Sequence, residues 1–263
     1  AIIPETREGH PVAHDPYRDL ADYYDLMASD PGIQALYREW RELLLAAIRK
    51  RGLRPRVLVD LACGTGNSTI PWTRRRGWTV VGVDQSAAML RAARRKSREV
   101  RWVRQDLRAL RLTERADLVT CHFDALNHVL REAELQRVFD GVGRILREGG
   151  LFQFDLNTAH WLRRLSASQK LFRLGPHAFT AYNAFDPRTG VALLRQLWFV
   201  KRGRHYRKLE VAVRERAYDR AAVRRMLRQS GLRLVTVRAQ RALGAAPIRD
   251  YFLAVRLPAR PAR

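Results

Sequence analysis

Apolar positions first become periodic near residue 20. Leu20, Tyr23, Tyr24 and Met27 share one helical face. After Asp30-Pro31-Gly32, the stripe Leu36, Trp40, Leu43, Leu44 and Ala47 predicts a second helix to about Arg51. From Val57 short apolar runs alternate with amphipathic stretches. The pattern predicts a strand at Val57–Leu61, a helix to about Arg76, a strand at Thr79–Val83 and a helix at Ala87–Lys96. It continues with strands at Val100–Arg104 and Asp117–Cys121, a helix at Ala133–Leu146, a stop at Gly149-Gly150 and a strand at Leu151–Asp155. Such alternation means a parallel sheet with helices on both faces. After Leu174 the rhythm changes to three long strands, Ala178–Phe185, Val191–Val200 and Tyr206–Arg216, an antiparallel meander joined by glycine-bearing turns. A helix at Arg220–Gln229, stopped by Gly231, and strands at Leu232–Ala239 and Tyr251–Arg256 complete the pattern.

Composition narrows the class without changing this picture. With 263 residues and 46% hydrophobic content the chain can bury a real core. No apolar run approaches the 18 or more residues of a membrane span. The first residues, with Pro4, Pro11 and Pro16, read as an irregular arm with no secretory signal. Cys63 and Cys121 have no metal-like or paired spacing, so no metal and no disulfide is expected, and a cytoplasmic setting is.

Charge does change the picture. The net charge is +24, carried almost wholly by arginine, which a GC-rich genome alone would favour. The distribution is uneven: residues 1–150 hold 26 basic and 20 acidic residues, residues 151–263 hold 24 and 6. An anionic partner is therefore expected for the second part, either a small metabolite or a nucleic acid.

The segment Val57-Leu58-Val59-Asp60-Leu61-Ala62-Cys63-Gly64-Thr65-Gly66 is a strand running into a glycine turn. Such a turn brings backbone N–H groups close to a ligand. The nicotinamide fingerprint fails at its third glycine, where Thr69 stands. Asp84 follows the next strand, placed to accept ribose hydroxyls, and Asp106 follows the third, placed to receive an exocyclic amine. Any one of these acids could equally be a helix N-cap. Three at successive strand ends, beside a glycine turn, point to a nucleoside site.

These motifs resemble the class I S-adenosylmethionine-dependent methyltransferases. Leu58–Gly66 is similar to their first motif, Val81–Leu90 to the second, Gln105-Asp106-Leu107 to the third, and Leu118–Phe123 with Ile145–Asp155 to the rest of the core. With Tyr24-Asp25-Leu26-Met27 and the inserted strands, the chain looks most like bacterial small-molecule enzymes, including those that N-methylate nucleotide-linked amino sugars. Ala62 replaces a glycine common in the family. The resemblance implies a Rossmann-like, seven-stranded, mostly parallel sheet with an N-terminal helical arm and an inserted antiparallel β cap. The expected division is an arm and lid over 1–52, a donor-binding core over 53–174, a cap over 175–217 and a C-terminal helix and hairpin over 218–263. It further implies that S-adenosylmethionine is bound by Tyr24, Asp60, Ala62, Cys63, Gly64, Gly66, Asp84, Gln85, Met89, Gln105, Asp106, Leu107 and His122.

The sulfonium donor is already activated, so the protein has mainly to align an acceptor and exclude water. His128 could accept the acceptor's proton or be a packing histidine; Tyr24 could close over the donor; Tyr218 could face the acceptor or pack. Asp124, Asn127, Arg195 and Arg216 are the expected acceptor-binding residues. Arg195 shares an alternating face with Val191, Leu193, Leu197 and Phe199, an unusual place for a charge without a partner. The reading is methyl transfer to N or O of a small, anionic metabolite. The alternative, an RNA methyltransferase, lacks the Asn/Asp-Pro-Pro-aromatic tetrapeptide after the fourth strand and any recognisable RNA-binding module.

Overall fold

The computed structural model describes residues 15–166, 170–241 and 246–258. Two sheets organise it. The first has seven strands: β1 (Val57–Leu61), β2 (Thr79–Asp84), β3 (Arg101–Arg104), β4 (Ala116–Cys121), β5 (Leu146–Asn157), β10 (Leu232–Arg241) and β11 (Pro247–Arg256), in the order β10-β11-β5-β4-β1-β2-β3. The pairs β1–β2, β1–β4, β2–β3 and β4–β5 are parallel, while β11 runs antiparallel to both neighbours. Chain order reverses direction at β1/β4, and the carboxyl ends of these two strands open the crevice where ligands bind in such sheets. The expected α/β fold with its β insertion is what forms.

Helices cover both faces of this sheet. On one side α4 (Glu132–Ile145) and α6 (Arg220–Gln229) bury Val138, Phe139, Val142, Val223 and Leu227 against Val59, Leu61, Phe152 and Phe154. On the other α2 (Pro31–Lys50), N-capped by Asp30, lays Leu44, Leu45 and Ile48 on Leu58, Leu118 and Leu151. A fully buried leucine contributes about 1.5–3 kcal/mol. Helix α3 (Ala87–Lys96), capped by Ser86, follows β2.

The second sheet holds β6 (Lys170–Leu174), β7 (His177–Asp186), β8 (Val191–Arg202) and β9 (His205–Arg216), all antiparallel. Its inner face, with Phe179, Trp198, Leu209 and Val211, packs on Leu20 and Tyr23 of the N-terminal lid. The predicted meander gains a fourth strand, β6, and α5 (Ala159–Ser166) precedes it where no helix was expected. The helix expected after the glycine turn shrinks to one 3-10 stretch, Ile70–Arg74, started by Pro71. The lid is less helical than its pattern, since α1 covers only Tyr24–Ala28 and turns precede it. Most of the expected N-terminal arm lies outside the described residues. No helix among the described residues is long and apolar enough to cross a membrane.

Candidate active site

The strand ends, the lid and the second sheet enclose a cleft of about 1470 Å³. Its floor is the glycine turn. Gly64 has φ 54° and Gly66 φ 84°, and a side-chain carbon at Gly66 would come within 2.5 Å of the Trp102 ring. Ala62 takes φ 51°, a left-handed position that suits the glycine it replaces. Gly64 has open space where a side chain would stand, so the backbone is exposed to the cleft.

Asp84, at the end of β2, ties this turn to the next element. Its Oδ2 accepts from Gly64 N at 2.8 Å and its Oδ1 from Ser86 N at 2.8 Å. Burial raises its pKa, against the pull of those two N–H groups. Asp106 sits after β3 with both oxygens on Arg108; burial opposes its ionisation, but Arg108 outweighs it and holds the carboxyl below the usual range. Gln85, Met89, Gln105 and Leu107 line the same stretch.

Tyr17 and Tyr24 of the lid form the facing wall, their rings edge to face at 6.3 Å. The lid is fastened by Asp25, which accepts from Thr65 Oγ1 at 2.6 Å, Asn67 Nδ2 at 2.8 Å and Lys96 Nζ at 2.7 Å. His122, from the end of β4, stacks on Trp40 and bonds Gln153 Oε1 through Nε2 at 2.8 Å. An amide oxygen only accepts, so Nε2 carries the proton and the buried Nδ1 is an acceptor without a partner. Burial lowers the His122 pKa.

His128 stands between the lid and the second sheet. Its Nδ1 donates to the Arg214 carbonyl at 3.2 Å, leaving Nε2 as an acceptor for the Tyr17 hydroxyl at 3.1 Å. Burial keeps the imidazole neutral, lowering its pKa despite nearby Asp124, and the same burial holds the Tyr17 phenol well above its usual value. Beyond His128 the cleft is lined by Leu193, Arg195, Ala212 and Arg214 of β8 and β9. The Arg195 face is thus not the core face of the cap: Ala192, Trp198 and Val200, of opposite parity, are buried. Behind His128 lies an inner chamber of about 250 Å³ that Tyr17, Tyr24, Phe123 and Val213 also border.

Several expected residues stand elsewhere. Asp60 is 1% exposed and is consumed by hydroxyls, from Ser68 at 2.8 Å, Thr69 at 2.5 Å and Thr120 at 2.6 Å; it holds the turn and does not line the cleft. Cys63 and Gly66 belong to the turn but not to its open surface, and both cysteines are buried and free. Tyr218 is packed in the core with its hydroxyl on the Val129 carbonyl, and faces neither cavity. Asn127 is fully buried and ties β5 to β9 through Asn157 and the Arg216 carbonyl. Arg216 turns to the Leu130 carbonyl, Glu132 and the Tyr218 ring. Asp124 lines the inner chamber, 3.4 Å from Arg249. Asp15, Tyr17 and Arg214 of the cleft, and Asn157, Glu215 and Arg249 of the chamber, were not among the expected site residues.

Residues 58–150 match the family model "Methyltransferase domain". A putative methyltransferase of Bacillus subtilis (strain 168) is 25% identical over 228 residues, 85% of this chain and 89% of that one. The dTDP-3-amino-3,6-dideoxy-alpha-D-glucopyranose N,N-dimethyltransferase of Streptomyces fradiae is 33% identical over 122 residues, 46% of this chain and 47% of that enzyme. Matches to the curated relatives thus range from a quarter of the relative's length to nearly nine-tenths. The crystal structure of an S-adenosylmethionine-dependent methyltransferase from Clostridium acetobutylicum ATCC 824 superposes with TM-score 0.80 at 25% identity, over 92% of this chain and 99% of that one. Residues 58–150 thus carry a methyltransferase domain, and the chain over most of its length is similar to S-adenosylmethionine-dependent methyltransferases.

Proposed function

We propose that the enzyme transfers the methyl group of S-adenosylmethionine to N or O of a small, anionic metabolite. The observation that carries this is the shared lining of one cleft: Asp84 at one end, Arg195 and Arg214 at the other, and His128 between them. When bound, S-adenosylmethionine supplies a methyl group on a positively charged sulfur, open to in-line displacement. The chain's part is to hold the two reactants and keep water out.

On the donor side, the open Gly64 backbone, the Asp84 carboxylate and the orphaned His122 Nδ1 fit a molecule with a carboxylate, ribose hydroxyls and an ammonium. Asp84 takes the ribose. Gln105, Asp106 and Leu107 take the adenine, with Arg108 sharing the Asp106 carboxyl. Ala62 and Gly64 approach the methionine end, and Met89, Gln85 and Tyr24 close the sides. On the acceptor side, His128 Nε2 is unprotonated and 3.1 Å from the Tyr17 hydroxyl, so it can take a proton from an acceptor that displaces or bridges to that hydroxyl. The planar forks of Arg195 and Arg214 suit phosphate or carboxylate groups. The Streptomyces fradiae relative, whose named substrate carries a nucleoside diphosphate and an amine, has an acceptor of this kind.

The test is an acceptor panel. Anionic amines and alcohols are expected to be methylated, and Arg195→Ala is expected to raise acceptor KM with donor affinity retained. A neutral or cationic preferred acceptor, or an unchanged KM, would overturn the reading. RNA as acceptor has one observation in its favour. Leu171, Tyr182, Phe199 and Tyr206, all exposed, share the outer face of the cap sheet with Lys208 and Arg214, and aromatic and basic side chains together suit a single strand. Salt separates the two. A contact with 6–10 phosphates loses roughly 10³–10⁵ in affinity between 50 and 200 mM salt, and a small acceptor loses far less.

A further inference from the structure

The inner chamber behind His128 is distinct in character from the cleft in front of it. Four elements meet there: the turn after β4, the end of β5, the end of β9, and β11. They deliver Asp124, Asn157, Glu215 and Arg249. Asp124 and Phe123 both take left-handed backbone positions, φ 52° and 60°, and their N–H groups are held by the Asp155 carboxylate. One ligand-capable atom each from Asp124, His128 and Glu215 lies within 4.8 Å of the other two. Glu215 is buried, and the other two are half-buried.

Two further observations bear on what this cluster takes. Asn157 is 3% exposed; its Nδ2 donates to Glu215 Oε2 at 2.8 Å, while its Oδ1 is buried without a partner in the wall of the same chamber. A buried acceptor left unpaired costs about 1–3 kcal/mol, so a bound donor or cation beside it is stabilising. Charge is also out of balance. Arg249 is the sole arginine or lysine among the described residues lining the chamber, and it already pairs with Asp155 at 2.5 Å. Arg249 also stands 3.4 Å from Asp124, while Glu215 has no ion pair among the described residues, and burial with the facing Asp124 carboxyl pushes its pKa well above the usual value. The opposite wall is apolar, formed by Leu20, Met27, Ile33, Leu194 and Val211.

We propose that Asp124, His128 and Glu215, with the Asn157 carboxamide oxygen, form a binding site for one divalent metal cation at the inner end of the acceptor cleft. One imidazole nitrogen with carboxylate and amide oxygens suits first-row ions such as Mn²⁺. A divalent ion brings positive charge to the facing Asp124 and Glu215 carboxyls and satisfies Asn157 Oδ1. The second ring nitrogen of His128 is fixed by the Arg214 carbonyl, the outer support that ligating histidines usually have. Nε2 then turns from the Tyr17 hydroxyl to the ion, and only in the metal-free chain is it open to take the acceptor's proton. Standing next to His128, the ion would hold an oxygen of the acceptor; this last step rests on the functional reading above, whereas the binding itself does not.

The experiment uses the whole chain, stripped with EDTA and titrated with Mn²⁺ in the absence of donor and acceptor, with free Mn²⁺ read by electron paramagnetic resonance. One ion per chain is expected, with a rise in melting temperature. Glu215→Gln and Asp124→Asn should each weaken binding at least about tenfold, while Asp22→Asn, on the lid surface, leaves it unchanged. If Glu215→Gln does not fold, the half-buried Asp124→Asn carries the test. Absence of bound Mn²⁺ in the wild-type chain, or equal binding by wild type and Asp124→Asn, overturns the proposal. S-adenosylhomocysteine affinity measured on the same stripped sample keeps a failed metal site distinguishable from a failed methyltransferase reading.

Discussion

Replacing Asp84 by alanine removes two kinds of interaction at once. The carboxylate now accepts from Gly64 N and Ser86 N, each at 2.8 Å, and so holds the glycine turn against the start of α3. In the functional reading it also accepts both ribose hydroxyls of the donor. Hydrogen bonds to a charged group contribute roughly 1.5–3 kcal/mol each, so losing the two ribose bonds costs about 3–6 kcal/mol of donor affinity. At 1.4 kcal/mol per decade this is roughly 10²- to 10⁴-fold. The backbone bonds add to the loss by loosening the turn, which Asp84→Asn separates: the amide keeps the volume and one acceptor oxygen, and should fall between the wild type and alanine. The assay is calorimetric titration with S-adenosylhomocysteine, with circular dichroism to confirm the fold. An affinity within about threefold of wild type for Asp84→Ala would refute the assignment of the ribose to this carboxylate.

Other expected outcomes follow from the same geometry. His128→Asn should lower turnover by about 10²–10⁴ with donor affinity retained if Nε2 takes the acceptor's proton; a loss under about fivefold leaves it a packing residue. Because burial disfavours the imidazolium, His128 should stay neutral as pH falls through its ordinary value of about 6.5, so the acid limb of kcat/KM should lie below that value. A limb above it contradicts the role. Tyr218→Phe should cost about 1 kcal/mol of stability through the lost bond to the Val129 carbonyl, a fall of about 2–4 °C in melting temperature, with kcat nearly unchanged; a large loss of kcat would return Tyr218 to the site.

Most of the large sheet could be read from the chain because its signals are local. Buried strands such as Val57–Leu61 are short apolar runs, and the turn after β1 announces itself by Gly64 and Gly66. What failed was equally physical. Pro71 and the hydroxyls of Ser68 and Thr69, drawn to Asp60, replace the first turns of an expected helix. Helix α5 hides because Leu162 alone of its residues is buried. Arg195 lines the cleft, but its alternating face is not a core face, since Val191, Leu193 and Leu197 are only half-buried and Phe199 is exposed. Of the two places open to Tyr218 the structure shows packing, because its hydroxyl bonds the Val129 carbonyl, and an aromatic after a strand end carries no sign of where its hydroxyl points. The inner chamber joins positions 124, 157, 215 and 249, which no spacing connects. One signal was present: Glu215 continues the buried alternation Leu209, Val211, Val213, an acid on a core-facing stripe.

The central claim is methyl transfer to a small anionic acceptor, and it is tested most directly by following the methyl group itself. S-adenosylmethionine carrying a deuterated methyl group is incubated with the enzyme and a bacterial metabolite extract, and the labelled product is identified by mass spectrometry. The expected result is a labelled phosphate- or carboxylate-bearing small molecule, abolished by Asp84→Ala and diminished at limiting acceptor by Arg195→Ala. Label recovered in RNA or protein, or in a neutral or cationic metabolite, would contradict the account.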